Sequence, residues 1–210
     1  MAATGLTRER REGRARFGYV TTRLGLVGRT ACHDGVMVED QVRIDVVSVD
    51  DAGELLTVRR AAFVTEAQIF NDPNIPALTQ TLEELIVDLQ SEDVVTLGAW
   101  RGHRLIGSIR VGIEDDKATI GRLAVAPDLQ GKGIGTQLLF AVLGYLPDNT
   151  TEVWVFTGQN SKHNISLYNK AGYEHQFDQV AGDLTYAYLR KVLEAGAIVD
   201  DDDVAVRGDN

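Results

Sequence analysis

The stretch Gln130-Gly131-Lys132-Gly133-Ile134-Gly135-Thr136 sets three glycines within five positions, between an apolar run that closes at Pro127 and a second apolar run. Glycine lets the backbone enter conformations closed to other residues and brings its N–H groups close to a ligand. If a helix begins at Gly135, those N–H groups converge on its N-terminus, where the macrodipole adds about half a positive charge. The chemistry such a loop serves is binding of a phosphate or pyrophosphate, with Lys132 and Thr136 as further donors. Two well-known phosphate loops do not fit. A Walker loop needs four residues between its first glycine and a GK[ST] triplet, which "GKGIGT" lacks. A dinucleotide fingerprint needs GxGxxG near the start of a parallel βαβ unit, and here GxGxG follows what reads as an antiparallel meander. A glycine-rich turn with no ligand is the plain alternative.

Such a loop needs a strand to deliver it and a helix to receive it, and the pattern supplies both. "ATIGRLAV" (118–125) reads as the strand, stopped by Pro127, and "GTQLLFAVLGYL" (135–146) as the helix, with Leu138, Leu139, Val142 and Leu146 inward. Upstream, "VRIDVVSV" (42–49) predicts a strand. A helix over 52–70 follows, capped by Asp50 or Asp51, with Leu55, Val58, Ala62 and Ala67 on one face. "NDPNIP" (71–76) breaks it. Thr79 or Thr81, each followed by an acid three residues on, opens a second helix over 79–93. "VVTLGAW" (94–100) and "RLIGSIRVGI" (104–113) join the 118–125 strand through short polar turns, which predicts hairpins. Downstream come a strand over 152–157, a helix over 163–172 ending at Gly172, and an alternating strand over 184–193. The result is one α/β domain with a mixed sheet.

Composition narrows the functions available. With 210 residues and 44% hydrophobic content, the chain builds one sizeable core. A net charge of −10 and a pI near 4.8 leave no cationic excess for a nucleic-acid partner. They suit an amine partner, or simply an acidic soluble protein. Cys32 stands alone, and His33, His103, His163 and His175 fall in no HExxH or CxxC pattern, so no structural metal is expected. No apolar run reaches the roughly 18 residues of a membrane span, and the start lacks a signal-peptide core. No membrane association and a cytoplasmic location are therefore expected. Residues 1–36, with seven Arg against three acids, read as a poorly ordered basic extension, and Met37 as a natural start. Residues 37–195 form the expected domain, and 196–210 an acidic tail whose "RGD" is a chance match. The charge of the two ends cancels, so the domain itself carries the −10.

A third loop pattern does fit. "LAVAPDLQGKGIGTQLL" (123–139) resembles motif A of the GNAT family of N-acetyltransferases, [QR]-x-x-G-x-[GA], with Gln130, Gly131, Lys132, Gly133, Ile134 and Gly135. "NISLYNKAGYE" (164–174) is similar to that family's motif B. The resemblance spans roughly residues 42–193. It implies a mixed, mostly antiparallel sheet with a splayed central strand pair, flanked by helices. It also implies that residues 130–136 hold the pyrophosphate of acetyl-coenzyme A. Leu123 and Val125 would offer free backbone groups to the pantetheine arm, and the N–H of Leu123 or Ala124 would stabilise the oxyanion. Asn164 would bond the pantetheine arm and Tyr168 would protonate the departing thiolate. On spacing alone Tyr168, three residues after Ile165, also reads as a core aromatic, and Asn164 as a helix cap. The family's habits make a homodimer one expectation.

Proton arithmetic sets what else the reaction needs. A free tyrosine (pKa about 10) gives a proton to a thiolate (about 8.5) at a cost of about 2 kcal/mol, so Tyr168 must be perturbed or act by hydrogen bonding. A lysine-like acceptor is free base in about one molecule per 2,500 at pH 7, and so needs a base. Glu66 and Glu114 are the candidates, though each also reads as a surface carboxylate, and a base acting through water is equally consistent. Phe70, Asn71 and Asp72 lie where acceptors bind in the family. The expected function is acetyl transfer from acetyl-coenzyme A to a primary amine, on a small molecule or a protein, by direct attack without metal. The alternative is a non-catalytic acyl-coenzyme A binding module.

Overall fold

The computed structural model describes residues 41–182 and 184–193. The expected 1–36 extension and 196–210 tail lie outside the described residues. Seven strands form one sheet in the order β1-β2-β3-β4-β5-β7-β6. They are β1 (Val42–Val46), β2 (Val94–Arg101), β3 (Arg104–Glu114), β4 (Lys117–Val125), β5 (Glu152–Gly158), β6 (Glu174–Ala181) and β7 (Leu184–Val192). The helices are α1 (Ala52–Phe70), α2 (Pro76–Thr79), α3 (Leu82–Leu89), α4 (Ile134–Ala141) and α5 (Lys162–Lys170).

The β2-β3-β4 meander turns through two-residue loops, Gly102-His103 and Asp115-Asp116. Asp115 takes φ 55, a left-handed conformation that aspartate tolerates better than most residues. β4 and β5 run parallel, and they pair only from Lys117↔Glu152 to Ile120↔Val155. Beyond that the two strands part, as the resemblance implies, and the β5-facing edge of β4 from Gly121 to Val125 has no ladder partner.

Helices cover both faces of the sheet. Leu105 and Ile106 are adjacent in β3 and therefore point to opposite faces. Ile106 packs with Leu138, Leu139 and Val142 around α4, while Leu105 packs with Leu55, Leu56, Leu85 and Trp100 around α1 and α3. With both faces covered, β3 reads as a nearly continuous apolar run. The Trp100 indole lies over Gly98, where an added Cβ would also stand 2.7 Å from Leu105 Cδ1. Gly98→Ala is expected to destabilise the fold by about 1–3 kcal/mol, read as a lower denaturant midpoint.

Several elements differ from the sequence expectation. β1 ends at Val46, not residue 49, because Ser48 turns the chain into a helical turn: its hydroxyl donates to Asp51 at 2.8 Å and its N–H at 3.3 Å. The expected 79–93 helix shortens to α3, with the single turn α2 ahead of it where the chain leaves the 71–76 break, and Thr81 caps α3 reciprocally with Glu84 at 2.9 and 3.2 Å. α4 ends at Ala141 and tightens into a turn over Val142–Tyr145. The buried residues of α1 are Ala52, Leu55, Leu56, Arg59 and Ala67, so Val58 and Ala62 do not lead its inner face. β6 was not expected: both its faces are exposed, so it carries no alternation of buried and solvated positions. Among the described residues no helix is long and apolar enough to cross a membrane.

Candidate active site

The glycine loop follows the unpaired edge of β4. After Val125 the chain makes one tight turn over Pro127–Leu129, and the Gln130 side-chain amide donates back to the Val125 carbonyl at 3.2 Å. Gly131 and Gly133 take φ of +75° and +79°, and Gly133 is the residue from which α4 starts. The first helical bond runs from Gln137 N–H to the Gly133 carbonyl at 3.0 Å. The N–H groups of Ile134, Gly135 and Thr136 therefore have no intrahelical acceptor. An added Cβ on Gly131 or Gly133 would meet nothing within 4 Å, so these positions need glycine for their backbone conformation and leave open space above them. Gln130, Gly131, Lys132 and Gly133 are exposed, Gly135 and Thr136 half-buried, and Ile134 anchors the helix in the core.

Beneath the parting of β4 and β5 lies a cavity of about 450 Å³. Phe63, Glu66 and Phe70 of α1 form one wall, Thr119–Leu123 of β4 another, and Thr157, Asn164 and Tyr168 a third. Sequence residues separated by a hundred positions thus meet in one space. Of the two oxyanion candidates, Leu123 lines the cavity, whereas Ala124 is buried and does not line it. Asn164 is not a helix cap, since α5 starts after Ser161; it sits inside α5 and donates to Thr157 Oγ1 at 3.3 Å.

Tyr168 is 5% exposed and packs edge-on against Tyr173, ring centroids 6.1 Å apart. Burial, and then the charge of Glu66, push its hydroxyl well above the ordinary tyrosine range. Burial also raises the Glu66 carboxyl, with Arg122 opposing it. The two candidate proton carriers therefore share one desolvated pocket and sense each other.

The remaining candidates separate. Phe70 lines the cavity, and its ring occupies the space a side chain at Gly158 would fill. Asn71 is the left-handed residue that ends α1, and the Asp72 carboxylate accepts from Asn74 N–H at 2.8 Å, so both shape the turn. Neither lines the cavity. Glu114 is exposed in the β3–β4 hairpin, outside this cavity.

Sequence reasoning missed the cationic side of the site. Arg110 forks onto Asp88 at 2.7 and 2.6 Å, and both line the cavity together with Arg122, which holds φ 53 where β4 bulges against β3. Behind them lies the buried Arg59. Its position four residues after Leu55 and four before Phe63 was the one available signal; nothing in the sequence pairs residue 88 with residue 110.

Comparison with known proteins gives these features a context. The profile described as "Acetyltransferase (GNAT) family" matches residues 63–173. UPF0157 protein YqkA of Bacillus subtilis (strain 168) is 34% identical over 123 residues, which is 59% of this chain and 34% of that protein. The chain thus spans about a third of the length of the curated relative it matches. The crystal structure of the PaiA N-acetyltransferase from Thermoplasma acidophilum in complex with coenzyme A superposes with a TM-score of 0.64 at 25% identity, covering 73% of this chain and 99% of that one. The ribosomal-protein-S18-alanine N-acetyltransferase from Escherichia coli shares the fold, with a TM-score of 0.61 at 16% identity over 76% of this chain and 99% of that one.

Proposed function

The chain belongs to the acetyltransferase (GNAT) family, whose cosubstrate is acetyl-coenzyme A, and from that premise we propose that it transfers an acetyl group to a primary amine by direct attack. The observation that carries this reading is the run of unsatisfied backbone donors and edge groups from the parted β4 strand into the start of α4, leading from the Tyr168 cavity to an open anion site. These groups fit a phosphorylated, amide-bearing arm. The N–H groups of Ile134, Gly135 and Thr136 suit a pyrophosphate, and the free edge of β4 suits peptide-like amides.

When bound, the thioester supplies the acetyl group. Glu66 takes the proton of the attacking amine, directly or through water. The backbone N–H of Leu123 faces the charge that develops on the acetyl oxygen. Tyr168 donates a hydrogen bond from its hydroxyl to the departing sulfur, and Asn164 positions the arm. Lys132 and Thr136 add donors at the phosphate end.

The deciding experiment is release of free thiol from acetyl-coenzyme A against a panel of amines, beside calorimetric titration of coenzyme A alone. Turnover with one class of amine supports the reading. Binding without turnover across the panel favours a non-catalytic acyl-coenzyme A binding module, and no binding overturns both. Within this reading Gly133→Val is expected to raise KM for acetyl-coenzyme A tenfold or more while changing kcat far less. A β-branched residue is strained at φ +79°, and its side chain would enter the space above the loop.

A further inference from the structure

The chain is acidic as a whole, yet its cavity is not. Arg110 of β3 and Arg122 of β4 line it, and Arg59 of α1 lies buried behind them. Asp88 is consumed by its two-pronged bond to Arg110. Arg59 is 1% exposed, and among the described residues its side chain makes one hydrogen bond, from Nε to Ser108 Oγ at a long 3.4 Å. Nη1 and Nη2 are buried and have no hydrogen-bond partner among the described residues. The guanidinium interacts electrostatically with Asp88, Arg110 and Arg122, all of which line the cavity. Burial draws its pKa down to about 10, which still leaves it charged at neutral pH.

A buried cation with its donors unmade is costly, and a fold that needed only volume at this position would be served better by an apolar residue. Arg122 repeats the pattern. It holds a left-handed backbone conformation that is strained for a non-glycine residue, and among the described residues its side chain makes no hydrogen bond or ion pair. The planar fork of a guanidinium matches an oxyanion group.

We infer that the cavity takes an amine that also carries an anionic group, a carboxylate or a phosphate, held by Arg122 on the cavity wall with the charge of the buried Arg59 behind it. This rests on the cavity being the acceptor site. The acceptor class is then an amino acid or a similar small zwitterion, and polyamines are disfavoured by the same charges.

The test uses primary amines of one chain length ending in carboxylate, phosphate, carboxamide or ammonium. Both kcat/KM and calorimetric affinity for the coenzyme A-loaded protein are measured, the latter because it requires no chemistry. The full chain is expected to prefer one anionic amine over the carboxamide by roughly tenfold to a hundredfold. The better of the two identifies the anion. In Arg122→Gln and in Arg59→Met that ratio is expected to collapse toward unity, and Arg59→Met is expected to keep or raise the melting temperature because it removes an unpartnered buried charge. Preference for the carboxamide or the ammonium overturns the inference. So does a ratio unchanged in both variants, or a fall in the melting temperature of Arg59→Met with the ratio intact, which would make Arg59 a residue of the fold alone. Anion-selective binding without acetyl transfer would sustain the inference and overturn the transferase reading.

Discussion

Tyr168→Phe is expected to lower kcat for acetyl transfer by about a hundredfold or more, while leaving the affinity for coenzyme A within a few-fold. Phenylalanine fills the same space and keeps the edge-on contact with Tyr173, so the melting temperature should barely move. Only the hydroxyl is lost. In the folded protein that hydroxyl is held neutral by burial and by the nearby Glu66, which makes complete proton transfer to a thiolate harder than the sequence arithmetic assumed. In the proposed mechanism Tyr168 therefore acts as a hydrogen-bond donor to charge growing on sulfur. A second measurement separates this role from mere packing: with acyl donors whose leaving thiol is more acidic, the loss caused by Tyr168→Phe should shrink, because less help is needed. An unchanged kcat in Tyr168→Phe would remove the residue from the mechanism.

Glu66→Gln should cost a comparable factor, read as kcat/KM at neutral pH, and it should also change the shape of the pH profile. A base works only when deprotonated. Because burial raises the Glu66 carboxyl, activity should climb with pH through a limb lying above the ordinary carboxylate range. Glu66→Gln should erase that limb. A weakly basic acceptor is the right probe, since its own ionisation then lies on the alkaline side and leaves the limb visible. The same raised pKa predicts the opposite sign for stability. Between the ordinary and the raised value the folded state holds a proton that the unfolded chain has released, so stability falls as pH rises through that window. Glu66→Gln should accordingly melt higher than the parent at neutral pH, and the difference should vanish in acid. A variant that lost activity and also melted lower at neutral pH would identify Glu66 as structural.

The sequence made the backbone of the site legible and concealed its charge. The bounds of α1 and the run from β2 through α4 could be read because apolar spacing, turn residues and glycines each leave a local mark. The parting of β4 and β5 came from the family resemblance and not from any local signal. β6 escaped because a strand exposed on both faces, "EHQFDQVA", has no reason to alternate. The arginines escaped for a different reason. A charged residue in an amphipathic helix reads as solvated, and only the tertiary fold shows that Arg59 faces inward, that Asp88 is already taken by Arg110, and that the strained backbone at Arg122 belongs to a bulge. Electrostatics is a property of what surrounds a side chain, and the surroundings here come from α1, α3, β3 and β4.

The Phe70 ring seated in the space above Gly158 has a consequence for how relatives of this chain diverge. The two positions share one volume, so residue 158 gains no side chain while residue 70 keeps its ring. A lineage that acquires a side chain at 158 must first, or soon after, shrink residue 70, and the wall of the cavity between them would widen or narrow by an aromatic ring. Under the proposed function, the pair is a natural site for one scaffold to evolve toward acceptors of different size while the 130–136 loop stays as it is.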